Sequence, residues 1–180
     1  CRNEEGNIEN AIKRIPNFCS DIEIIFVEGG SKDGTLKEIY RVISAYPNKD
    51  IKVYEQDGVG KGDAVRKGFS YARGCVLMIL DADLTVPPED LPKFYNAISS
   101  GKGEYINGTR LIYPMEKEAM RYLNYIGNRT FALLFTWLLN QRITDTLCGT
   151  KVLTKKNYEE IANNRGYFGD FDPFGDFDLI

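Results

Sequence analysis

Cys75-Val76-Leu77-Met78-Ile79-Leu80-Asp81-Ala82-Asp83 is the stretch on which the fold turns: an unbroken apolar run followed by two carboxylates one residue apart. A run of this kind is the pattern of a strand buried on both faces, as in parallel sheets covered by helices. In open α/β sheets ligands bind at the carboxyl ends of the strands, which is where Asp81 and Asp83 would stand. Two oxygen ligands in a chain without histidine favour a hard cation, Mg²⁺ or Mn²⁺, and argue against zinc. Such an ion keeps one or two protein carboxylates and completes its shell with substrate phosphates. Taken alone, two aspartates after a strand are as readily a turn or a helix cap, so the surrounding elements carry the argument.

Outward from that stretch, apolar runs alternate with amphipathic ones. Ile22 to Val27 reads as a buried strand, Gly29 to Gly34 as a loop, and Thr35 to Tyr46 as a helix stopped by Pro47. Ile51 to Glu55 is a second strand, and the Gly58-Val59-Gly60-Lys61-Gly62 turn leads into a helix from Asp63 to Arg73. Pro87-Pro88 starts a helix through Ile98. Glu104 to Gly108 is a strand, Glu116 to Asn140 a long helix, Lys151 to Leu153 a strand and Lys155 to Asn163 a helix. The alternation predicts one α/β domain with a mainly parallel sheet flanked by helices. The chain opens on a loop and a helix with no strand before them, and stops inside the apolar pattern of Phe177 to Ile180. It therefore reads as truncated at both ends. In a doubly wound sheet the first strand is central, so its absence would leave two neighbours with open edges.

Composition narrows the partners. With 180 residues, 43% apolar and 27% charged, the chain is globular in character, and a net charge of -3 supplies no basic field for a nucleic-acid backbone. The four cysteines show no C-x-x-C spacing, which suits free thiols in a reducing cytosol. The longest apolar run, Phe131 to Leu139, falls short of the ~20 residues that span a bilayer. The Gly127 to Leu139 stripe, with Trp137, reads as core packing, or as a face laid against a membrane or lipid.

Other residues bear on ligand chemistry. Glu28 ends the first strand beside glycines that let a ring approach the backbone, and its carboxylate could read a base N–H. Lys61 and Arg66 flank the start of the Gly-rich helix, where cations and backbone N–H groups meet anions. Asp57 to Asp63 fails the dinucleotide fingerprint, because Asp63 replaces the third glycine, and fails the phosphate-loop pattern, because Gly62 follows Lys61. Asp170, Asp172, Asp176 and Asp178 crowd the last stretch. Phe174 occupies a ligand position of a calcium loop there, so a carboxylate carried over a substrate is the better reading.

Together Asn3-Glu4-Glu5, Val27-Glu28-Gly29-Gly30-Ser31-Lys32-Asp33-Gly34-Thr35, Gly60-Lys61-Gly62 and Asp81-Ala82-Asp83 resemble the nucleotide-sugar half of family 2 glycosyltransferases. Asp145-Thr146-Leu147-Cys148-Gly149-Thr150-Lys151 and Asp176-Phe177-Asp178-Leu179 resemble the acceptor-side motifs of its polyprenyl- and dolichyl-phosphate branch. The resemblance implies a GT-A fold, with residues 1–100 as a nucleotide-sugar-binding half and 101–180 as an acceptor-binding half. It also implies inverting, Mg²⁺- or Mn²⁺-dependent transfer of a sugar from a UDP- or GDP-linked donor. The acceptor would be a lipid phosphate or a glycan or lipid hydroxyl, as in cell-envelope glycan synthesis. Carried over, Asn3, Glu4, Glu28, Lys61, Asp81 and Arg110 would bind the donor, and Asp81 and Asp83 the metal. Asp145 and Lys151 would bind the acceptor, with Asp178, then Asp176, as base for a hydroxyl acceptor. Glu28-Gly29 stands where the family usually has Asp-Asp, and Thr85 where some members supply a third metal ligand. A cytoplasmic enzyme, or one peripheral on the cytoplasmic face of a membrane, is expected. A sugar-phosphate nucleotidyltransferase and a non-catalytic sugar-nucleotide-binding module are the alternatives.

Overall fold

The computed structural model describes residues 1–109, 122–140, 144–145 and 148–164. Arg110, Asp176 and Asp178 lie outside the described residues.

Strands β1 (Glu23–Glu28) and β2 (Asp50–Glu55) run parallel, from Glu23 opposite Asp50 to Glu28 opposite Glu55. Helix α1 (Glu5–Arg14) carries its apolar residues at helical spacing, with Glu5 in the first turn and Lys13 and Arg14 in the last, the arrangement that suits the helix dipole. Helix α2 (Thr35–Ala45) begins where the Asp33 carboxylate accepts the Thr35 N–H at 3.0 Å. The two helices bury Ile8, Ile12, Ile39 and Val42 in one cluster with Ile51 of β2. Each such side chain contributes roughly 1.5–3 kcal/mol through the apolar surface it removes from water.

A second ladder lies beyond helix α3 (Lys61–Tyr71). Its strands are β3 (Val76–Met78), β4 (Tyr105–Asn107) and β5 (Lys151–Thr154), in the order β3-β5-β4, with β5 antiparallel to both neighbours. A 3-10 turn (Pro88–Asp90) and helix α4 (Leu91–Ser99) follow β3, α5 (Tyr122–Leu139) lies between β4 and β5, and α6 (Lys155–Asn164) follows β5. Phe69 of α3, Leu77, Ile79, Leu153 and Tyr158 of α6 form this ladder's core, the rings of Phe69 and Tyr158 meeting edge to face at 4.9 Å.

The layered α/β architecture agrees with the sequence reading, and the element positions agree to within about two residues, except that the helix read from Glu116 is described only from Tyr122, residues 116–121 lying outside the described residues. The pairing departs from it. Among the described strands β1 and β2 pair in parallel, while β5 inserts antiparallel between β3 and β4, which therefore run in the same direction as each other. Alternation fixes direction only across short crossovers, and the path from β4 to β5 is long. The apolar run at residues 75–80 pairs as a strand over just Val76–Met78, since no described strand lies on its other edge. Between that edge and β1 is a cavity of about 1280 Å³, lined by Ile24 and Phe26 on one side and Leu77 and Ile79 on the other. Cys1 reaches its top: its amino group donates to the Val27 carbonyl at 2.7 Å, and the Gly29 N–H donates to the Cys1 carbonyl at 2.9 Å. That pair of bonds is one rung of a parallel ladder, with Glu28 opposite Cys1.

Candidate functional site

The site is built where β1 and β3 end. Asp81 and Asp83 follow β3 on a tight turn, in which the Leu84 N–H donates to the Asp81 carbonyl at 3.0 Å and Leu84 takes the left-handed conformation, φ 55°. The Asp83 carboxylate accepts the Thr85 N–H at 3.0 Å, so one of its oxygens helps hold the turn. Both aspartates line the cavity that Glu4 and Lys61 also line. The Lys61 ammonium stands 2.7 Å from Asp81 Oδ1, with both side chains about one-third exposed, 34% and 31%. Lys61 opens α3 directly after Gly60, whose φ of 94° is strained for any side chain. A cation at the positive end of a helix is unfavourable by about 0.3–1 kcal/mol, which Asp81 offsets. The Asp81 carboxylate thus already faces a positive group.

A divalent cation fits this donor set in kind, since both ligands offered are carboxylate oxygens. Among the described residues no group of three acidic, histidine or cysteine side chains is gathered for a metal. Asp81 and Asp83 line the cavity together and could offer such an ion their oxygens.

Glu28 is buried, 5% exposed, and turns back on its own loop. Its two oxygens accept the Gly30 N–H at 3.0 Å and the Ser31 N–H at 2.6 Å. Burial works against its charge, but the hydrogen bonds from Ser31 and Gly30 hold its carboxyl below the usual range. Asn3 and Glu4 brace the same loop. Asn3 Oδ1 accepts the Lys32 N–H at 2.8 Å, and the Asn3 N–H donates to Ser31 Oγ at 2.9 Å. The Glu4 N–H donates to Thr35 Oγ1 at 2.8 Å, while its carboxylate accepts from Asn7 at 2.8 Å. The structure thus brings Asn3, Glu4 and Glu28 to one loop, their polar groups engaged in shaping residues 29–35, and of the three only Glu4 lines the cavity.

Asp145 and Lys151 have no exposed surface. The Lys151 ammonium donates to the Cys148 carbonyl at 2.9 Å, and the Asp145 carbonyl accepts from Asn107 Nδ2 at 2.7 Å. Two charged residues read from the sequence as facing an acceptor are placed inside, where Lys151 holds the segment at residues 148–150 through the Cys148 carbonyl. That segment lies on the Lys61–Asp81 pair: a Cβ on Gly149 would come within 2.5 Å of Asp81 Cγ. Asn107, Gly108 and Gly149 were not singled out by the sequence reading. Gly149 lies within the motif at residues 145–151, but no local pattern gives its role or that of Asn107 and Gly108, which exists only through contacts between distant parts of the chain.

The arrangement matches solved structures. Mannosyltransferase PcManGT from Pyrobaculum calidifontis, in complex with GDP-Man and Mn2+, superposes with a TM-score of 0.54 at 23% identity, covering 61% of this chain and 33% of that one. Glucosyl-3-phosphoglycerate synthase from Mycobacterium tuberculosis, in complex with Mn2+ and UDP-glucose, gives 0.63 at 18% identity, covering 87% of this chain and 54% of that one. These likenesses establish the fold, the GT-A type of α/β architecture.

The chain belongs to glycosyl transferase family 2, whose model matches residues 1–161. Among curated relatives, dolichol-phosphate mannosyltransferase from Pyrococcus furiosus is 34% identical over 116 residues, covering 61% of this chain. The match takes in 32% of that protein, so this chain spans about a third of its length.

Proposed function

We propose that this chain is the donor-binding part of an inverting glycosyltransferase that moves a sugar from a nucleoside-diphosphate sugar to a polyprenyl-phosphate acceptor. The observation that carries the reading is the grouping of Lys61, Asp81 and Asp83 at the strand ends, in one cavity with Glu4. The named relative acts on dolichol phosphate, and the structural neighbours hold GDP- or UDP-linked sugars with Mn2+.

The amino end of α3 and the Lys61 ammonium are suited to a diphosphate. Lys61 exchanges Asp81 for a phosphate oxygen as the donor enters. Asp81 and Asp83 are the residues that would hold Mg²⁺ or Mn²⁺, which when bound neutralises charge on the departing diphosphate. Glu28 keeps the glycine loop open for the nucleoside, and Glu4 stands at the same loop. Arg110, read from the family resemblance as a donor ligand, belongs to this proposal from outside the described residues. A phosphate acceptor is already anionic and needs no base, so Asp176 and Asp178 carry no proton in this scheme. Support for a lipid acceptor comes from α5, whose Phe131, Leu134, Trp137 and Leu138 are 56%, 52%, 79% and 63% exposed. Such a face suits a lipid surface. No helix among the described residues is long and apolar enough to cross a membrane.

The test is a thermal-shift series on the full-length protein with GDP and UDP, each with and without Mn²⁺, followed by transfer assays with polyprenyl phosphate. One nucleotide with Mn²⁺ should raise the melting temperature, as any ligand selective for the folded state does. Asp83→Ala should remove the Mn²⁺-dependent part of the shift and lower turnover by at least roughly a hundredfold. Unchanged turnover in that variant would refute the role given to Asp83.

A further inference from the structure

Gly149 lies in the acceptor-half motif, yet what it touches belongs to the donor half. A Cβ built on it would overlap Asp81 Oδ2 and the Lys61 ammonium. Its φ lies outside the left-handed region, so the backbone there accepts an L side chain. The glycine is required by space, not by conformation.

What decides the outcome is which side gives way. The segment bearing Gly149 is fastened at several points. The Lys151 ammonium holds the Cys148 carbonyl at 2.9 Å, the Gly108 N–H donates to the Thr150 carbonyl at 2.8 Å, and the Ile79 N–H donates to the Lys151 carbonyl at 2.9 Å. The Cys148 side chain is fully buried, its Sγ so close to Gly108 that a Cβ there would approach it to 2.8 Å. Asp81 and Lys61, by contrast, present the far ends of side chains about one-third exposed and paired with each other. A methyl group at position 149 therefore displaces the carboxylate and the ammonium and leaves the wall in place.

We propose that the Cys148–Thr150 segment is the wall that sets the position of the Asp81 carboxylate. Gly149 is then a positioning residue for the donor and its cation, and Lys151 is the buried fastening of that wall. This rests on the reading of Asp81 as part of the donor site. It adds a coupling: a change in the acceptor-half motif alters donor affinity with no acceptor present.

The experiment compares full-length wild-type protein, Gly149→Ala and Gly6→Ala, the last adding a methyl group where nothing lies within 4 Å. Calorimetric titration uses MnCl₂ with GDP and with UDP. Gly149→Ala should keep its fold and bind the Mn²⁺–nucleotide pair roughly ten- to a hundredfold more weakly, the usual effect of losing an outer support of a metal ligand. Gly6→Ala should bind as wild type does. Wild-type affinity in Gly149→Ala overturns the proposal. If wild-type protein binds neither nucleotide, the donor reading fails instead. A ligand-free double-mutant cycle then still tests the contact, and does so even if Gly149→Ala folds poorly. On an Asp81→Ala background, where the carboxylate is gone and the Lys61 ammonium is released from it, Gly149→Ala should cost clearly less stability than in wild type. An equal cost in both backgrounds overturns the proposal.

Discussion

Glu23, at the first position of β1, joins three parts of the chain. Its carboxylate accepts from Lys52 on β2 at 2.5 Å, from the Arg73 guanidinium at 2.9 Å and from the Arg73 N–H at 2.8 Å. Burial alone would raise its pKa, but the bonds from the Arg73 backbone, Lys52 and the Arg73 side chain bring it down from 4.5 to about 2. A depressed carboxyl pKa stabilises the fold fully above the unfolded value and loses that contribution as pH falls towards the folded one. The window here runs from pH 4.5 down to about 2, and the contribution is on the order of 2–3 kcal/mol. Glu23→Gln should therefore destabilise the protein at pH 7, and the gap to wild type in urea melts should narrow at pH 3. A gap of the same size at both pH values would contradict the assignment. At this scale Asp81, Asp83 and Lys61 were legible, because each stands in a short motif next to a strand or helix end. The inward turn of Asp145 and Lys151 was not. A lysine reads as exposed until the structure supplies an acceptor, here the Cys148 carbonyl, that lets it be buried.

Helix α5 shows what periodicity leaves open at the element scale. Its apolar residues at helical spacing read as a core stripe or a lipid-facing one, and the structure buries Ala132 but leaves Phe131, Leu133, Leu134, Trp137 and Leu138 exposed. The hydrophobic effect requires a partner for such a face without specifying which. With a lipid acceptor, the full-length protein should float with liposomes, and Trp137→Ser with Leu138→Ser should reduce the floating fraction several-fold while leaving the melting temperature nearly unchanged. Flotation unaffected by the pair would remove α5 from the membrane contact. β3 teaches the complementary lesson. Of its apolar run, read as buried, Leu77 and Ile79 are buried, Val76, Met78 and Leu80 are half-buried and Cys75 is exposed; burial and length as a paired strand both depend on neighbours, and only β5 provides one among the described strands.

At the scale of the whole molecule, the two ladders of the described strands face each other across the cavity between β1 and β3. Strand edges without partners leave backbone N–H and C=O groups as templates for association. A polypeptide of residues 1–180 alone should therefore associate with rising concentration or melt without a sharp transition. Light scattering and calorimetry would check this, and a monomer with one cooperative melt would refute it. The alternation of elements, the strand-end carboxylates and the Gly-rich helix start were determined by sequence alone, because period, turn chemistry and motif order act within a few residues. Strand pairing, the antiparallel insertion of β5, the burial of Lys151 and the seating of Gly149 on Asp81 were decided only by the tertiary structure. They depend on which distant segments meet, and no local pattern encodes the space left between them.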